Sequence, residues 1–380
     1  VAGISVGLIY TFYYEANDTF YYFNTAVQLA NYSKENFIYA LTHLFDYDEI
    51  LNVDGLVVEG FRSIVFLKIL SLFALFAGNN YWICSAYFSL LSFASSWYIY
   101  QEVTEQFENS TPAASLTFLF FPSVVFWSSG IEKETLTLAS LYFLTVLLMR
   151  IYFRRPNQKA VWVLFVLSSA ILWLLKYYWA GVFFSAAITV VIVQFLSDRV
   201  EKIKRHPILS YVFLFTLIGV GFSFVHPNFY LHRFLEVIVS NHDAFVSLSN
   251  HTNLIHFHHL TPSISSIIIN TPLALFSGIF RPMLGEGNGV MGTLASIENL
   301  LILILFFSAI ASLKRKTRPA TVILTAALIS YCIVLCIFLA LSTPNLGTLS
   351  RYRVGFLPFL IFVFAYQNRL VEFVTKKFLK

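Results

Sequence analysis

Two carboxylates stand three residues apart near the beginning of the chain, at Glu15 and Asp18. Aromatic side chains flank them in the stretch Tyr13–Tyr22, and such residues prefer the headgroup level of a membrane. A carboxylate that is partly removed from water can have a shifted pKa and can accept a proton from a hydroxyl group. We therefore take Asp18 and Glu15 as candidate catalytic residues. Asp18 is also a suitable N-cap for a helix that starts at Thr19, and the two roles are compatible.

Four basic residues lie where the outer ends of apolar segments are expected: Lys176, Arg281, Arg351 and Arg353. Positive charges are disfavoured on the translocated side of a membrane, and an ionisable residue near membrane depth suggests a function. The planar fork of arginine can bind two phosphate oxygens. We expect these four residues to bind a lipid phosphate; simple snorkelling to the interface is the alternative.

Four further polar residues are candidates for substrate binding: Glu132, Glu286, His256 and His258. Glu132 precedes a predicted helix, where a carboxylate also favours the helix N-terminus, and Glu286 is a candidate partner for Arg281. Seven of the nine histidines fall between residues 226 and 259, but without the ligand spacing of a zinc site. We assign no residue to a metal, and a divalent metal stays open only as an alternative cofactor.

The composition predicts an integral membrane protein. Hydrophobic residues make up 58% of the 380 positions and charged residues 12%, about half the charged fraction of a soluble domain. The net charge of +5 is typical of basic cytoplasmic loops and gives no reason to expect nucleic acid as a partner. The three cysteines lie in apolar stretches, and we interpret them as packing residues.

The positions of the basic clusters predict how often the chain crosses the bilayer. Basic clusters that begin at residues 150, 199, 314 and 376 are expected on the cytoplasmic side. The number of crossings between these clusters must match this sidedness, which excludes a simple crossing by the apolar runs 60–78 and 264–281. The first run, Val1–Tyr14, is too short to span alone and is expected to be the outer part of a span.

We predict one all-α transmembrane domain over residues 1–380, a polytopic bundle of about ten spans with both termini cytoplasmic. Two segments, 15–80 and 226–294, are expected on the outer face, with interfacial or re-entrant helices. The other predicted spans are 81–101, 112–129, 133–152, 160–177, 179–197, 207–225, 295–313, 318–341 and 353–370, with an outer turn near Tyr177–Gly181.

Three short motifs resemble those of polytopic membrane glycosyltransferases of the GT-C type. The first is Asn17-Asp18-Thr19-Phe20-Tyr21-Tyr22, an acidic residue followed by aromatics where the first helix enters an outer loop. The second runs from Phe121-Pro122 to Glu132-Lys133-Glu134, and the third is Arg351-Tyr352-Arg353-Val354-Gly355-Phe356-Leu357-Pro358. The similarity covers the general layout of most of the chain. It departs from the family pattern in having Asn17-Asp18 where two acidic residues are usual.

The resemblance implies a transferase of the bacterial inner membrane that contributes to polysaccharide synthesis in the cell envelope. Its donor would be a polyprenyl-phosphate-linked sugar and its acceptor a glycan or a lipid. Asp18 would deprotonate the acceptor, and Arg351 and Arg353 would bind the phosphate; we expect Asp18, Arg281, Arg351 and Arg353 to line one cavity at the outer leaflet. Two alternatives stay open: an O-antigen or capsule polymerase-like or ligase-like protein, and a transporter or non-enzymatic assembly subunit.

Overall fold

The protein is helical almost throughout. The computed structural model describes residues 2–13, 18–35, 50–53, 56–156, 159–249, 251–287, 289–312 and 319–378, and helices account for 83% of the structure. The predicted all-α class is therefore confirmed. The α-helices are α1 (Ala2–Phe12), α2 (Asp18–Glu35), α3 (Phe61–Phe76), α4 (Tyr81–Gln106), α5 (Thr111–Ala114), α6 (Pro122–Trp127), α7 (Lys133–Tyr152), α8 (Lys159–Ser197), α9 (Glu201–Arg205), α10 (Pro207–Phe222), α11 (Leu231–Leu248), α12 (Ile264–Phe280), α13 (Gly289–Ser312), α14 (Pro319–Ser342), α15 (Leu346–Tyr352), α16 (Leu357–Ala365) and α17 (Arg369–Phe378). A π-helix, Ser115–Phe120, continues α5, and 3₁₀ turns occupy Pro227–Phe229, His251–Asn253 and Arg353–Gly355.

A small β-hairpin, which the sequence analysis did not predict, interrupts the helices. Strand β1 (Ile50–Val53) pairs antiparallel with β2 (Leu56–Glu59), so that Leu51 lies opposite Val58. Both of these side chains are buried in the hydrophobic core of the first unit. The hairpin thus adds an apolar cross-strand pair to a helical core.

Several helices are long and apolar enough to cross a membrane. Among the residues that the structure describes, four qualify singly, within α7, α8, α13 and α14. Two bent pairs, α3 with α4 and the Leu346–Gly355 segment with α16, raise the number to six if each pair is one span. Large apolar side chains also remain exposed on these and other helices, for example Phe213 and Phe307. A lipid environment accounts for such a surface.

The helix boundaries differ from the predicted spans at three places. The break between the predicted spans 160–177 and 179–197 falls at Lys176, one residue before the predicted turn at Tyr177–Gly181: two helices meet there across a kink in α8, and Lys176 leaves helical dihedral angles (φ −143°, ψ 63°). No proline stands at this position, and the helix resumes directly after it. The predicted span 112–129 is divided at Phe121–Pro122, because proline cannot donate the next helical hydrogen bond. The predicted span 353–370 is divided at Phe356 and again after Ala365.

The break at Phe356 has side-chain partners for its backbone. The Tyr331 hydroxyl of α14 donates to the Gly355 carbonyl at 3.0 Å, and the Cys332 thiol lies 3.5 Å from the Phe356 carbonyl. In an apolar environment every backbone group must find such a partner. The two consecutive side chains of α14 therefore stabilise the bend between α15 and α16.

The chain forms two compact units. The first combines residues 1–99, 125–145 and 158–177. Within it α1 packs closely on α4, because a Cβ atom at Gly3 would lie 2.0 Å from the Ser89 hydroxyl and one at Gly7 would lie 2.8 Å from the Trp82 ring. Small residues four apart are typical of close helix contacts in membranes.

The second unit combines residues 100–124, 146–157 and 178–380. Its helices α12 and α14 meet at a similar small surface, where a Cβ atom at Gly278 would lie 2.5 Å from the Cys336 sulfur and 3.3 Å from the Ala340 Cβ atom. Aromatic rings fill the space around α16, with the Phe107 ring 5.7 Å from that of Phe362. Its core therefore relies on close backbone approach as well as on large rings.

The close contact at Gly355 gives a test of the fold. A Cβ atom there would lie 2.4 Å from the ring of Trp179, which is fully buried. We expect Gly355→Ala to lower the free energy of unfolding by about 1–3 kcal/mol, because the ring cannot move aside. Thermal unfolding of the purified protein in detergent measures this effect. Gly219→Ala is the matched control, since nothing lies within 4 Å of that position; equal losses in both variants would contradict the packing at Gly355.

Candidate functional site

The N-terminal ends of α2 and α7 meet in the first unit. The Thr19 hydroxyl donates to the carbonyl of Ile131 at 3.2 Å and lies 3.2 Å from the Tyr81 hydroxyl. Thr19 follows Asp18 directly, and Ile131 precedes Glu132. The contact therefore joins the backbones of two candidate motifs that are more than a hundred residues apart in the chain. Asp18 is the first residue of α2, but its side chain, and Glu15 altogether, lie outside the described residues.

Three consecutive charged residues lie at the beginning of α7, with Glu132 directly before the helix and Lys133 and Glu134 in its first turn, and each has a different environment. Glu132 is 4% exposed, and its charge acts on the Tyr81 hydroxyl. Lys133 donates to the hydroxyls of Tyr22 and Ser63, each at 2.9 Å, and its ammonium lies 4.7 Å from the centre of the Tyr22 ring. The residues of α2 and α3 thus hold a cation beside the Asp18 motif.

Lys176 forms a buried ion pair with the third of these residues. Its ammonium donates to a Glu134 oxygen at 2.8 Å, and the two side chains are 6% and 3% exposed. The pair joins α7 to α8 at the one position where α8 leaves helical geometry. Lys176 was predicted to bind a lipid phosphate. In the structure its ammonium is paired with a carboxylate of the protein itself, that of Glu134.

Removing one partner of this ion pair should lower the free energy of unfolding far more than removing both. We expect Glu134→Gln or Lys176→Met alone to lower the free energy of unfolding by about 3–5 kcal/mol, because either change leaves one charge buried without its counter-charge. The double variant should recover most of the loss, since no charge then remains buried. Chemical or thermal unfolding in detergent provides the measurement. Strictly additive losses would contradict direct pairing.

A second buried charge cluster lies around Arg353 in the second unit. This side chain is 1% exposed; one amino group donates to the Asn299 side-chain oxygen at 2.7 Å and the other lies 3.5 Å from Glu298. The other oxygen of Glu298 accepts from the backbone N–H of Ser123 at 2.8 Å. Arg353 therefore connects the turn after α15 with α13, and through Glu298 with the beginning of α6.

Asn299 extends this cluster toward Arg281. Its amide nitrogen donates to the carbonyl of Pro282 at 3.0 Å, which is the residue after Arg281. Two of the predicted arginines are thus linked within one unit by a residue that the sequence analysis did not select. Arg351 is half-buried, with its guanidinium 5.4 Å from the centre of the Tyr352 ring. It is more accessible to a ligand than Arg353.

Arg281 and Glu286 form the predicted pair. The Nε of Arg281 donates to both carboxylate oxygens of Glu286, at 3.1 and 2.9 Å, and the backbone N–H of Met283 donates to one of them at 2.8 Å. Partial burial acts to raise the pKa of Glu286, but the hydrogen bonds from Arg281 and Met283 and the charge of Arg281 outweigh it, so the pKa of this carboxyl is lowered. At neutral pH the carboxyl group of Glu286 is therefore ionised and forms an ion pair with Arg281.

The lowered pKa of Glu286 gives a pH dependence with a definite sign. Because the folded protein binds the proton less tightly than the unfolded chain, ionised Glu286 stabilises the fold above the ordinary glutamate pKa, and this contribution is lost as the pH falls through the lowered value. We expect Glu286→Gln to unfold at a lower temperature than the unaltered protein at pH 7. The difference should shrink at about pH 3. A difference that is the same at both pH values would contradict the pairing.

The two candidate histidines lie on the surface of the second unit. The His256 and His258 side chains are exposed, whereas the backbone of His258 is fixed by Asn270, whose amide donates to its carbonyl at 2.9 Å and accepts from its N–H at 2.8 Å. Among the described residues, no group of three His, Cys, Asp or Glu side chains has the arrangement of metal ligands. The loop is held by an asparagine of α12, and its imidazoles are accessible to a substrate.

Two of the buried ion pairs depend on residues that are not among the candidates from the sequence. Glu298 and Asn299 stand in the middle of an apolar run, and an ionisable residue in such a run is itself a signal. Glu134 appears in the sequence only as the last residue of the second motif. In each case the missing information was the partner, which lies far away in the sequence.

Comparison with known proteins adds no relative. A scan against protein-family models and searches of curated proteins and of solved structures find no match to this chain. The candidate sites are therefore described by their own geometry. Asp18, Glu132 and Lys176 belong to the first unit, and Arg281, Glu286, His256, His258, Arg351 and Arg353 belong to the second. Their convergence around one cavity stays a prediction.

Proposed function

We propose that this chain is a polytopic membrane glycosyltransferase that moves a sugar from a polyprenyl-phosphate carrier to a glycan or lipid acceptor. One observation supports the proposal above the others: the Thr19 hydroxyl bonds to the Ile131 carbonyl. Two of the three motifs that resemble GT-C enzymes therefore touch each other, although 112 residues separate them. Short motifs that match by chance have no reason to meet.

The proposed reaction uses a base, a cation and two bond changes. Asp18 accepts the proton of an acceptor hydroxyl, whose oxygen forms a bond to the anomeric carbon of the donor sugar. The bond from that carbon to the phosphate oxygen breaks, and the carrier leaves as polyprenyl phosphate with the electron pair. A cation beside the phosphate stabilises the charge that develops on the leaving oxygen. No redox change occurs and no other co-reactant is required.

The arginines have different parts in this scheme. Arg351 is half-buried and is the candidate for direct contact with the phosphate. Arg353 is enclosed by Glu298 and Asn299 and acts as a positioning residue for Arg351, two residues earlier. Arg281 and Lys176 approach a phosphate only if Glu286 and Glu134 release them. Glu132, Glu286, His256 and His258 are proposed contacts to the sugar or the acceptor.

The proposed membrane arrangement has ten spans, cytoplasmic termini and outer segments 15–80 and 226–294. Among the described residues, three shorter apolar helices (Ala2–Phe12, Thr111–Phe120 and Pro207–Phe222) accompany the four long helices and the two bent pairs, and the fourth short helix, Ile264–Phe280, belongs to the proposed outer segment. Ten spans result if the two helices that meet at the kink of α8 are counted separately. The basic clusters of the sequence support the orientation. We place the protein in the bacterial inner membrane, with the acidic and basic motifs at the outer face.

The decisive experiment measures turnover of a defined donor. The purified protein is reconstituted into liposomes with undecaprenyl phosphate that carries a radiolabelled hexose or pentose, and a membrane glycan fraction serves as acceptor. We expect release of undecaprenyl phosphate, and a loss of about a hundredfold or more in Asp18→Asn, because a general base contributes 10²–10⁴-fold. Asp243→Asn is the matched control: this carboxylate is exposed on α11 and contacts His242, and its loss should leave turnover unchanged.

Other outcomes of the same assay identify the alternatives. Turnover only with a pyrophosphate-linked donor, unaffected by Asp18→Asn, would replace the proposal with a polymerase-like or ligase-like function. Absence of turnover with either donor, while the labelled carrier crosses the bilayer, would indicate a transporter. Unfolding profiles of the two variants show whether a loss of activity comes from loss of the fold.

A further inference from the structure

The last helix, α17, has an apolar side that is exposed at the surface of the structure. Leu370, Phe373 and Val374 are spaced so that they share one side of the helix, and they are 37%, 63% and 44% exposed. By the same helical period Arg369, Glu372 and Lys376 lie on the opposite side. Lys377 follows Phe373 and Val374 at the end of the apolar side, from where a long lysine side chain extends to the headgroups. A short helix that separates apolar and charged residues in this way is typical of the membrane–water boundary.

The orientation of α17 is fixed at its beginning. Asn368 is fully buried; its amide donates to the carbonyls of Leu305 and Phe364, and its oxygen accepts from the Ser308 hydroxyl at 2.6 Å. The same oxygen caps α17 by accepting from the Leu370 N–H at 2.9 Å. Asn368 therefore connects the start of α17 to α13 and α16, both of which belong to membrane-spanning candidates.

The charge around α17 indicates which lipids it meets. The helix has three basic residues, Arg369, Lys376 and Lys377, against one acidic residue, Glu372, a net charge of +2. The backbone N–H of Arg369 donates to the Ser312 hydroxyl at 3.3 Å, at the end of α13. From that point the sequence continues with four more basic residues, at 314, 315, 316 and 318. Anionic headgroups attract such clusters within a Debye length of the surface.

We propose that α17 lies in the plane of the membrane surface, with Leu370, Phe373 and Val374 among the acyl chains, and binds the headgroups of acidic phospholipids through Lys376 and Lys377. This role is independent of the glycosyltransferase proposal, because no residue of α17 takes part in it. The helix anchors the end of the last apolar segment, α16, which has only nine residues.

Paired fluorescent labels on the full-length protein test the proposal. The three native cysteines are buried, so a bimane label attaches to a cysteine introduced at Phe373→Cys or, two residues further, at Thr375→Cys on the other side of α17. The labelled protein is reconstituted into bilayers that contain a fixed fraction of either brominated phosphatidylcholine or brominated phosphatidylglycerol. Bromine quenches bimane only at short range.

We expect at least about twofold more quenching at position 373 than at 375, because only the apolar side enters the acyl region. At position 373, brominated phosphatidylglycerol should quench roughly twofold more than phosphatidylcholine at the same bromine content. Lys376→Gln with Lys377→Gln should remove this lipid preference and retain the difference between the two positions. A loss of both effects in that variant would show that the lysines are needed for docking itself, which also supports the proposal.

Three results would overturn it. Equal quenching at positions 373 and 375 would exclude an interfacial orientation. Equal quenching by the two lipids in the protein with both lysines intact would exclude recognition of acidic headgroups. Quenching at position 373 that falls as the protein-to-lipid ratio rises would show that a second copy of the chain covers the apolar side.

Discussion

Burial of charge inside apolar helices is the constraint on which the rest of this structure depends. An isolated ion in such surroundings is strongly destabilising, so each buried charge must have a partner close by. Glu134 with Lys176 and Glu298 with Arg353 satisfy this requirement in the two units, and Glu102 accepts from Arg150 at 2.8 Å in the same way. Each of these pairs joins residues of different helices or turns. The ionic contacts therefore act together with the close glycine contacts in specifying which helices are neighbours.

The same constraint gives different structural environments to two arginines of one sequence motif. Arg351 and Arg353 are two residues apart, yet the first is half-buried over an aromatic ring and the second is enclosed by a carboxylate and an amide. Enclosure holds the turn after α15 in place, and the accessible guanidinium two residues earlier benefits from that rigidity. Positioning and contact are thus separated between neighbouring residues of one motif.

The sequence alone predicts the class of this protein and much less of its sites. Apolar runs and basic clusters indicate a helical membrane protein, because hydropathy acts locally and needs no knowledge of the partner. The kink of α8 falls at Lys176, one residue before the predicted turn, and the predicted span 112–129 is divided at Phe121–Pro122. Such boundaries are hard to predict, since the ends of elements depend on a few local contacts. The hairpin had a signal that was overlooked: Asp54-Gly55 between two apolar stretches is typical of a two-residue turn. The partners of Lys176 and Arg353 could not be predicted, because they come from helices that are distant in the sequence.

The bend between α15 and α16 depends on two side chains of the preceding long helix, α14. Its carbonyls at Gly355 and Phe356 face Tyr331 and Cys332 of α14, so the bend and its donors form one unit. In a straight helix the Gly355 carbonyl would accept a backbone hydrogen bond and would not need the Tyr331 hydroxyl. In the bent chain without Tyr331, the Gly355 carbonyl would lack a hydrogen-bond donor in an apolar environment. Related chains are therefore expected to inherit the tyrosine and the interruption together, and a lineage that lost either would tend to lose both.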